Sequence, residues 1–407
     1  MTLSSAEDGP HPGGTGATLV DVVRAQLMRN PPPPAWLRGR VLLQADEGDA
    51  CTLEFAKGVV RPLAGVTGHP DTRICARRHV LVDLVRGTCA GVDAFLRGQL
   101  GVQGNLALSL QLDVLFDDGR RPERYPRPWV RKAGRVRTAY MEAGPRHGPA
   151  VVAIHGLGAT NASLLPTIWD LAADYRVIAP DLPGHGASSA PRAPYNAAFF
   201  SRWLNDLLDE LGVDRAVVMG NSLGGRISLE YGLDHPERVA GLVLLAPAVA
   251  FRKLRQLVPL VRLLRPELAA LPLPMSEGLA LAGLRSIFSR PSRISGQSFE
   301  AAAGEFVRVF RDPRHRMAFF AALRSIYLDD AFGERGFWKR LPDLEPPALF
   351  VWGRRDRLVP VGFARHVTAA VPAARTVILD DCGHVPQYEM PQHTNALIRD
   401  FFAELAW

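Results

Sequence analysis

Between residues 215 and 233 the chain carries a strand, a sharp turn and a helix in immediate succession. Residues 215–219 form a short apolar run suited to a buried strand, residues 226–233 have helical spacing, and Gly220-Asn221-Ser222-Leu223-Gly224-Gly225 joins them. So tight a turn would drive neighbouring side chains into one another, so glycine is needed two residues either side of the serine. Ser222 then sits strained at the tip, with its hydroxyl pushed out of the sheet. A single G-x-S-x-G is also compatible with a simple tight turn, so its meaning rests on the rest of the chain.

That context is a succession of strands and helices. Residues 135–142 alternate like an edge strand, and 149–154, 175–180, 240–245, 348–352 and 375–379 read as strands. Residues 197–211 and 392–405 read as amphipathic helices. Strands alternating with helices imply a mostly parallel sheet, with its site at the carboxyl ends of the strands. About 100 residues between 246 and 346 exceed what a strand connection needs, which predicts a helical cap at about 249–345. That stretch includes the apolar run Leu257, Val258, Leu260, Val261, Leu263 and Leu264.

Four further motifs stand in order around the serine turn. They are His155-Gly156-Leu157-Gly158, the turn from Asp181 to Ser188, Gly353-Arg354-Arg355-Asp356 and Cys382-Gly383-His384. Together they resemble the α/β-hydrolase superfamily over residues 135–407, including its chain order of nucleophile, acid and histidine. The resemblance implies Ser222 as nucleophile, His384 as general base and Asp356 as the acid that orients His384. It also implies an oxyanion hole from the backbone N–H groups of Leu157 and Leu223, the second at a helix N-terminus. His155 and His185 are expected to order loops. Asp381 stands too close before His384 to turn back and orient it, and Cys382 is expected to be a packed thiol.

The N-terminal region has another character. Thr18 is placed to cap a helix running to about residue 29. Strand-like runs follow at 40–45, 50–56, 59–63 and 72–76, then helical stretches at 79–86 and 92–98. With Phe95-Leu96-Arg97-Gly98-Gln99-Leu100-Gly101-Val102-Gln103-Gly104-Asn105 and the apolar helix after it, this order is that of an α+β domain. It resembles the sterol carrier protein type 2 family, which implies an apolar tunnel for a sterol, acyl chain or other lipid. Residues 117–134, with three prolines and a concentration of basic side chains, read as a linker. The expected organisation is a disordered stretch at 1–16, a sterol-carrier-like domain at 17–116, a linker at 117–134 and a capped hydrolase domain at 135–407. The fold class is α/β, preceded by a small α+β domain.

Composition narrows the partners. The net charge is +7, yet only Lys57, Lys132, Lys253 and Lys339 among the 48 basic residues are lysine, a bias of genome composition rather than function. No basic stripe with interleaved aromatics suggests nucleic-acid binding. Residues 249–345 carry 16 basic and 10 acidic side chains, so most of the excess charge sits in the cap, where it suits anionic head groups. Four cysteines, at 51, 75, 89 and 382, match neither a zinc site nor a disulfide framework, and reduced thiols are expected. The polar start of the chain lacks the pattern of a signal peptide, and no apolar run is long enough to span a membrane. These features point to the cytoplasm, with at most transient contact with a membrane surface, and call for no cofactor or metal.

The reading is thus a serine hydrolase of lipophilic or lipid-derived carboxylic esters, acting through an acyl-enzyme on Ser222, with an N-terminal domain that binds lipid. A carbon–carbon-bond hydrolase with the same triad is an alternative, although that subfamily usually has a different loop at 181–186. An alternative of another class is a lipid carrier using the hydrolase fold as a scaffold. Serine rather than aspartate at the turn excludes epoxide hydrolysis and haloalkane dehalogenation. The domain pair suggests that the N-terminal domain delivers its cargo across the linker at raised effective concentration.

Overall fold

The computed structural model describes residues 17–30, 32–33, 37–116, 123–249, 261, 263, 265–271, 273–334 and 336–407. The expectation for residues 1–16, and that for the apolar run at 257–264 apart from Val261 and Leu263, lies outside them.

The first domain grows from a capped helix. α1 (Leu19–Leu27) starts at a capping box. The Thr18 hydroxyl accepts from Asp21 N–H at 3.4 Å, and Thr18 N–H donates to the Asp21 carboxylate at 3.1 Å. β1 (Gly39–Ala45), β2 (Ala50–Ala56), β3 (Val59–Ala64), β4 (Thr72–Ala76) and β5 (Leu100–Gly104) form one sheet in the order β3-β2-β1-β4-β5. α2 (Arg78–Val85), α3 (Gly91–Leu96) and α4 (Leu106–Leu115) supply further apolar surface to its core. Gly104, at φ 97°, lets β5 turn beside β4, since a Cβ there would lie 2.3 Å from the Asp71 carbonyl oxygen.

The second sheet has eight strands. They are β6 (Arg127–Ala133), β7 (Val136–Ala143), β8 (Ala150–Ile154), β9 (Arg176–Pro180), β10 (Ala216–Asn221), β11 (Val239–Leu245), β12 (Ala348–Gly353) and β13 (Arg375–Leu379), in the order β13-β12-β11-β10-β8-β9-β7-β6. β8 to β13 run parallel, and β6 and β7 antiparallel. Two sequence expectations change here. Residues 127–133, read as linker, form the edge strand β6, and β7, read as the edge, lies inside the sheet between β6 and β9. An edge position tolerates Pro128 and the charges of Arg131 and Lys132, which disguise the strand pattern.

Helices cover both faces: α5 (Leu165–Leu171), α6 (Ala197–Glu210) and α7 (Leu223–Asp234) here, and α12 (Gly362–Ala370), α13 (Pro386–Glu389) and α14 (Pro391–Ala403) further along. α6 buries Phe200, Trp203, Leu204, Leu207 and Leu208, and the Trp203 indole donates to Thr138 Oγ1 at 2.9 Å. Burial of each such side chain stabilises by about 1.5–3 kcal/mol.

Between β11 and β12 stands the cap: α8 (Glu277–Ser286), α9 (Gly296–Arg311), α10 (Pro313–Leu328) and α11 (Phe337–Arg340). Ser295 caps α9 through Ser298 N–H, and Asp312 caps α10 through Arg314 and His315 N–H. The two domains share one core. Leu84 and Val92 of the first, Ile168 and Phe402 beside the large sheet, and Ala301 of α9 belong to a single buried apolar cluster.

Candidate active site

Ser222 stands between β10 and α7 at φ 56° and ψ −115°, a strained conformation for a residue with a side chain. The glycines around it are steric necessities. A Cβ on Gly220 would lie 2.2 Å from the Gly224 carbonyl carbon, and one on Gly224 would lie 2.2 Å from the Ile154 oxygen. The turn thus locks the start of α7 against the end of β8, whose loop continues to Leu157. Gly156 faces Ser222 directly, its Cβ position 3.3 Å from Ser222 Cβ. Leu223 is the first residue of α7, so its N–H has no acceptor within the helix.

His384 and Asp356 meet from the loops after β13 and β12. His384 Nδ1 lies 2.8 Å from Asp356 Oδ2, with both side chains buried. The other carboxylate oxygen, Oδ1, accepts from Leu358 N–H at 2.8 Å and Val359 N–H at 2.9 Å. Asp356 is thereby fixed, and because a carboxylate only accepts, Nδ1 is the donor of the pair. Asp381 is placed elsewhere. Its carboxylate pairs with Arg290 at 2.8 Å, Arg355 at 3.0 Å and Arg293 at 3.5 Å. Cys382 is buried, and desolvation pushes its thiol up to about 12.

Three supports were not legible in the sequence. The Asn221 amide donates to the Leu245 and His384 carbonyl oxygens, each at 3.0 Å, and so ties the serine turn to the histidine loop. Buried Glu389 accepts from Gly383 N–H and Arg290 N–H, both at 2.7 Å, and His384 N–H donates to the cap carbonyl of Ile287 at 2.9 Å. Arg226 on α7 is buried between Glu230 and Asp329, each at 2.8 Å, and Glu230 also pairs with Arg340 at 2.8 Å. α7 is thus bonded to the far end of the cap.

His155 and His185 organise loops. His155 Nδ1 lies 2.8 Å from the Gly156 oxygen, and Nε2 accepts from Leu182 N–H at 2.9 Å. Burial drives His155 down to about 3 and His185 to about 4. Asp181 receives N–H donors from Asn161 and Ala187, each at 2.9 Å, yet full burial raises it to about 6. The imidazoles set a pH dependence. Their folded pKa values lie below the unfolded value, so their stabilisation is present above about 6.5 and is lost as pH falls. Each should cost the folded state about 2 kcal/mol between pH 7 and pH 5. Urea unfolding at the two pH values should show this, and His155→Gln should remove its share of the slope.

Ser222 and His384 open into a cavity of about 700 Å³. Its wall includes Leu157 from the loop after β8 and, from the cap, Phe299, Phe306, Phe310 and Phe319. Gly158, at φ 72°, admits this aromatic cluster, since a Cβ there would lie about 3 Å from both Phe306 and Phe319. Among the described residues no group of three or more His, Cys, Asp or Glu is placed to hold a metal ion, and no helix is long and apolar enough to cross a membrane.

Residues 149–391 match the alpha/beta hydrolase fold family, and residues 37–117 match the SCP-2 sterol transfer family. The chain belongs to the alpha/beta hydrolase family and carries an SCP-2 region ahead of its hydrolase domain. It is similar to 2-hydroxy-6-oxo-6-phenylhexa-2,4-dienoate hydrolase of Burkholderia cepacia, at 29% identity over 63% of this chain and 88% of the relative. It is also similar to pimeloyl-[acyl-carrier protein] methyl ester esterase of Aromatoleum aromaticum, at 32% identity over 62% of this chain and 97% of the relative. Among solved structures it resembles a bacterial membrane phospholipase A described as a virulence factor. That match has a TM-score of 0.57 and 27% identity, over 68% of this chain and 86% of the other. The chain is a hydrolase, and its relatives include both ester and carbon–carbon-bond hydrolases.

Proposed function

We propose that this hydrolase cleaves lipophilic carboxylic esters through an acyl-enzyme on Ser222. The observation that carries the reading is the apolar, aromatic-walled cavity that reaches Ser222 and His384. A long hydrocarbon group gains free energy there and a small polar ester gains little.

The chemistry follows from the loops. His384 Nε2 takes the Ser222 proton as Oγ attacks the carbonyl carbon. The negative oxygen so formed is held by the N–H groups of Leu157 and Leu223. Asp356 stabilises the imidazolium through Nδ1. Collapse breaks the ester C–O bond, and the leaving alkoxide takes the proton from Nε2. Water, deprotonated by the same nitrogen, then releases the acid and frees Ser222. In this reading the N-terminal domain binds lipid, as its family match suggests.

The test is a series of p-nitrophenyl esters from two to sixteen carbons. kcat/KM should rise from acetate to at least octanoate, by up to about 0.8 kcal/mol of transition-state binding for each methylene buried. A flat or falling series would make the chain a small-ester enzyme.

A carbon–carbon-bond hydrolase is the second reading, favoured by the Burkholderia relative. Turnover of a 2-hydroxy-6-oxo-dienoate faster than that of any ester would establish this reading instead.

A further inference from the structure

The cavity at Ser222 does not end under the cap. Beyond Phe299 and Ala302 of α9 it continues into the first domain, where Val92, Phe95, Val102, Leu106 and Leu110 line it. Those residues lie on α3, β5 and α4, so one cavity joins the interior of the sterol-carrier region to the catalytic serine.

The junction is built for this. β5 is the edge strand of the small sheet, and α9 packs along it. Gly101 presents no side chain to that contact, and a Cβ there would lie 3.2 Å from Gln297 of α9. Gly304 of α9 also faces β5, its Cβ position 3.9 Å from Gly104 N. Strand alternation turns Leu100 and Val102 the opposite way, toward the cavity. Leu106 N–H, at the start of α4, donates to the Glu305 carboxylate at 3.3 Å, and Glu305 is held by Arg308 at 2.6 Å. The domains therefore share a wall, which a flexible tether would not produce.

Polar groups in the far arm are already engaged within the fold. The Asp113 carboxylate accepts from Gly91 N–H at 2.8 Å and Val92 N–H at 3.3 Å, and the Ser109 hydroxyl donates to the Leu106 oxygen at 2.7 Å. What the arm offers a ligand is apolar contact.

We propose that the N-terminal domain forms the distal half of the catalytic site. The acyl chain of the substrate runs from Ser222 beneath α9 into the space between α3, α4 and β5, which measures its length. This rests on the ester reading above and replaces delivery across a linker. The lipid held by the first domain and the lipid cleaved at Ser222 are then one molecule. The acyl group suits the enclosed arm because it stays attached through the covalent intermediate, while the alcohol must leave and water must enter. A volume of about 700 Å³ lies within the range of sites that enclose most of a drug-sized ligand. Each methylene seated in the arm should raise kcat/KM about fourfold.

The test uses the full chain. Alkyl fluorophosphonates with eight- and sixteen-carbon chains, each ending in a diazirine, are attached to Ser222 and irradiated. The shorter should crosslink within the cap and the longer within residues 91–110. Crosslinks of the longer probe confined to the cap overturn the proposal. Ser109→Trp and Leu110→Trp, checked for wild-type thermal unfolding, then fill the arm. In a folded variant the ratio of kcat/KM for the hexadecanoate ester to that for the acetate ester should fall at least tenfold, and an unchanged ratio overturns the proposal. If Ser222 takes up no fluorophosphonate and no ester is turned over, the ester reading falls, but the shared cavity is still decided. Hexadecanoate should then bind as one equivalent, crosslinking to residues 91–110 when its diazirine is at the chain terminus and to α9 or α10 when the diazirine is beside the carboxylate. Two equivalents would mean two separate sites and overturn it.

Discussion

Ser222→Ala should leave a folded protein whose kcat for any ester it cleaves falls by on the order of 10⁵–10⁶. The expected size follows from how the turn is made. Ser222 is held at φ 56° by glycine contacts that do not involve its hydroxyl, so alanine takes the same place. The Gly156 loop, the N-terminus of α7 and the His384–Asp356 pair are likewise built without Oγ. Only the Ser222 hydroxyl, the proposed nucleophile, is lost. Residual rate should come from binding and oxyanion stabilisation, which support about 10³–10⁴ over water in the best-studied triads. Purified variant and wild type, compared by steady-state kinetics and thermal unfolding, decide the matter. A variant that keeps a tenth of wild-type kcat removes Ser222 from the mechanism.

The same turn shows why part of the molecule was legible from residues alone. Gly220 and Gly224 are demanded by contacts within a few residues or with the adjacent strand, so local sequence reports them. Asp356 and His384 each follow a strand of the parallel sheet, and chain order places both at one end of it. Contacts of long sequence separation were hidden. Asn221 reaches the His384 carbonyl 163 positions away, and Arg226 reaches Asp329 103 positions away. Neither residue type announces a distant partner. β6 was hidden for another reason, since an edge strand can carry Pro128 and exposed charge and so resembles a linker. Mistaking it for a tether made the two regions look independent. The segment 95–105 carries the resemblance to the sterol carrier family, and Gly101 within it is also where α9 lies against β5.

Asp356→Asn should lower kcat by about 10⁴, whereas Asp381→Asn should change it by less than about threefold. The first expectation comes from the two oxygens of Asp356. Oδ1 accepts from two backbone N–H groups, of Leu358 and Val359, and Oδ2 faces His384 Nδ1. An asparagine has only one oxygen. The two N–H donors hold it at the Oδ1 position, so the amide nitrogen is turned toward His384. That nitrogen donates and cannot accept. His384 must then offer its Nδ1 lone pair and carry its proton on Nε2, where it can no longer take the proton of Ser222. The fold has no reason to change, because every backbone bond at the loop is kept. Asp381 is a different kind of carboxylate. Its partners are the guanidinium groups of Arg290, Arg293 and Arg355, and each pair is partly open to solvent. Exposed pairs of this kind contribute roughly 0–1 kcal/mol each, and Asp381 has no contact with the imidazole by which to select its tautomer. Kinetics of the two variants side by side, with the His384 ring proton followed by NMR, separate the roles. A larger loss at Asp381 would transfer the acid there, and an Asp356→Asn protein with its proton still on Nδ1 would break the tautomer argument.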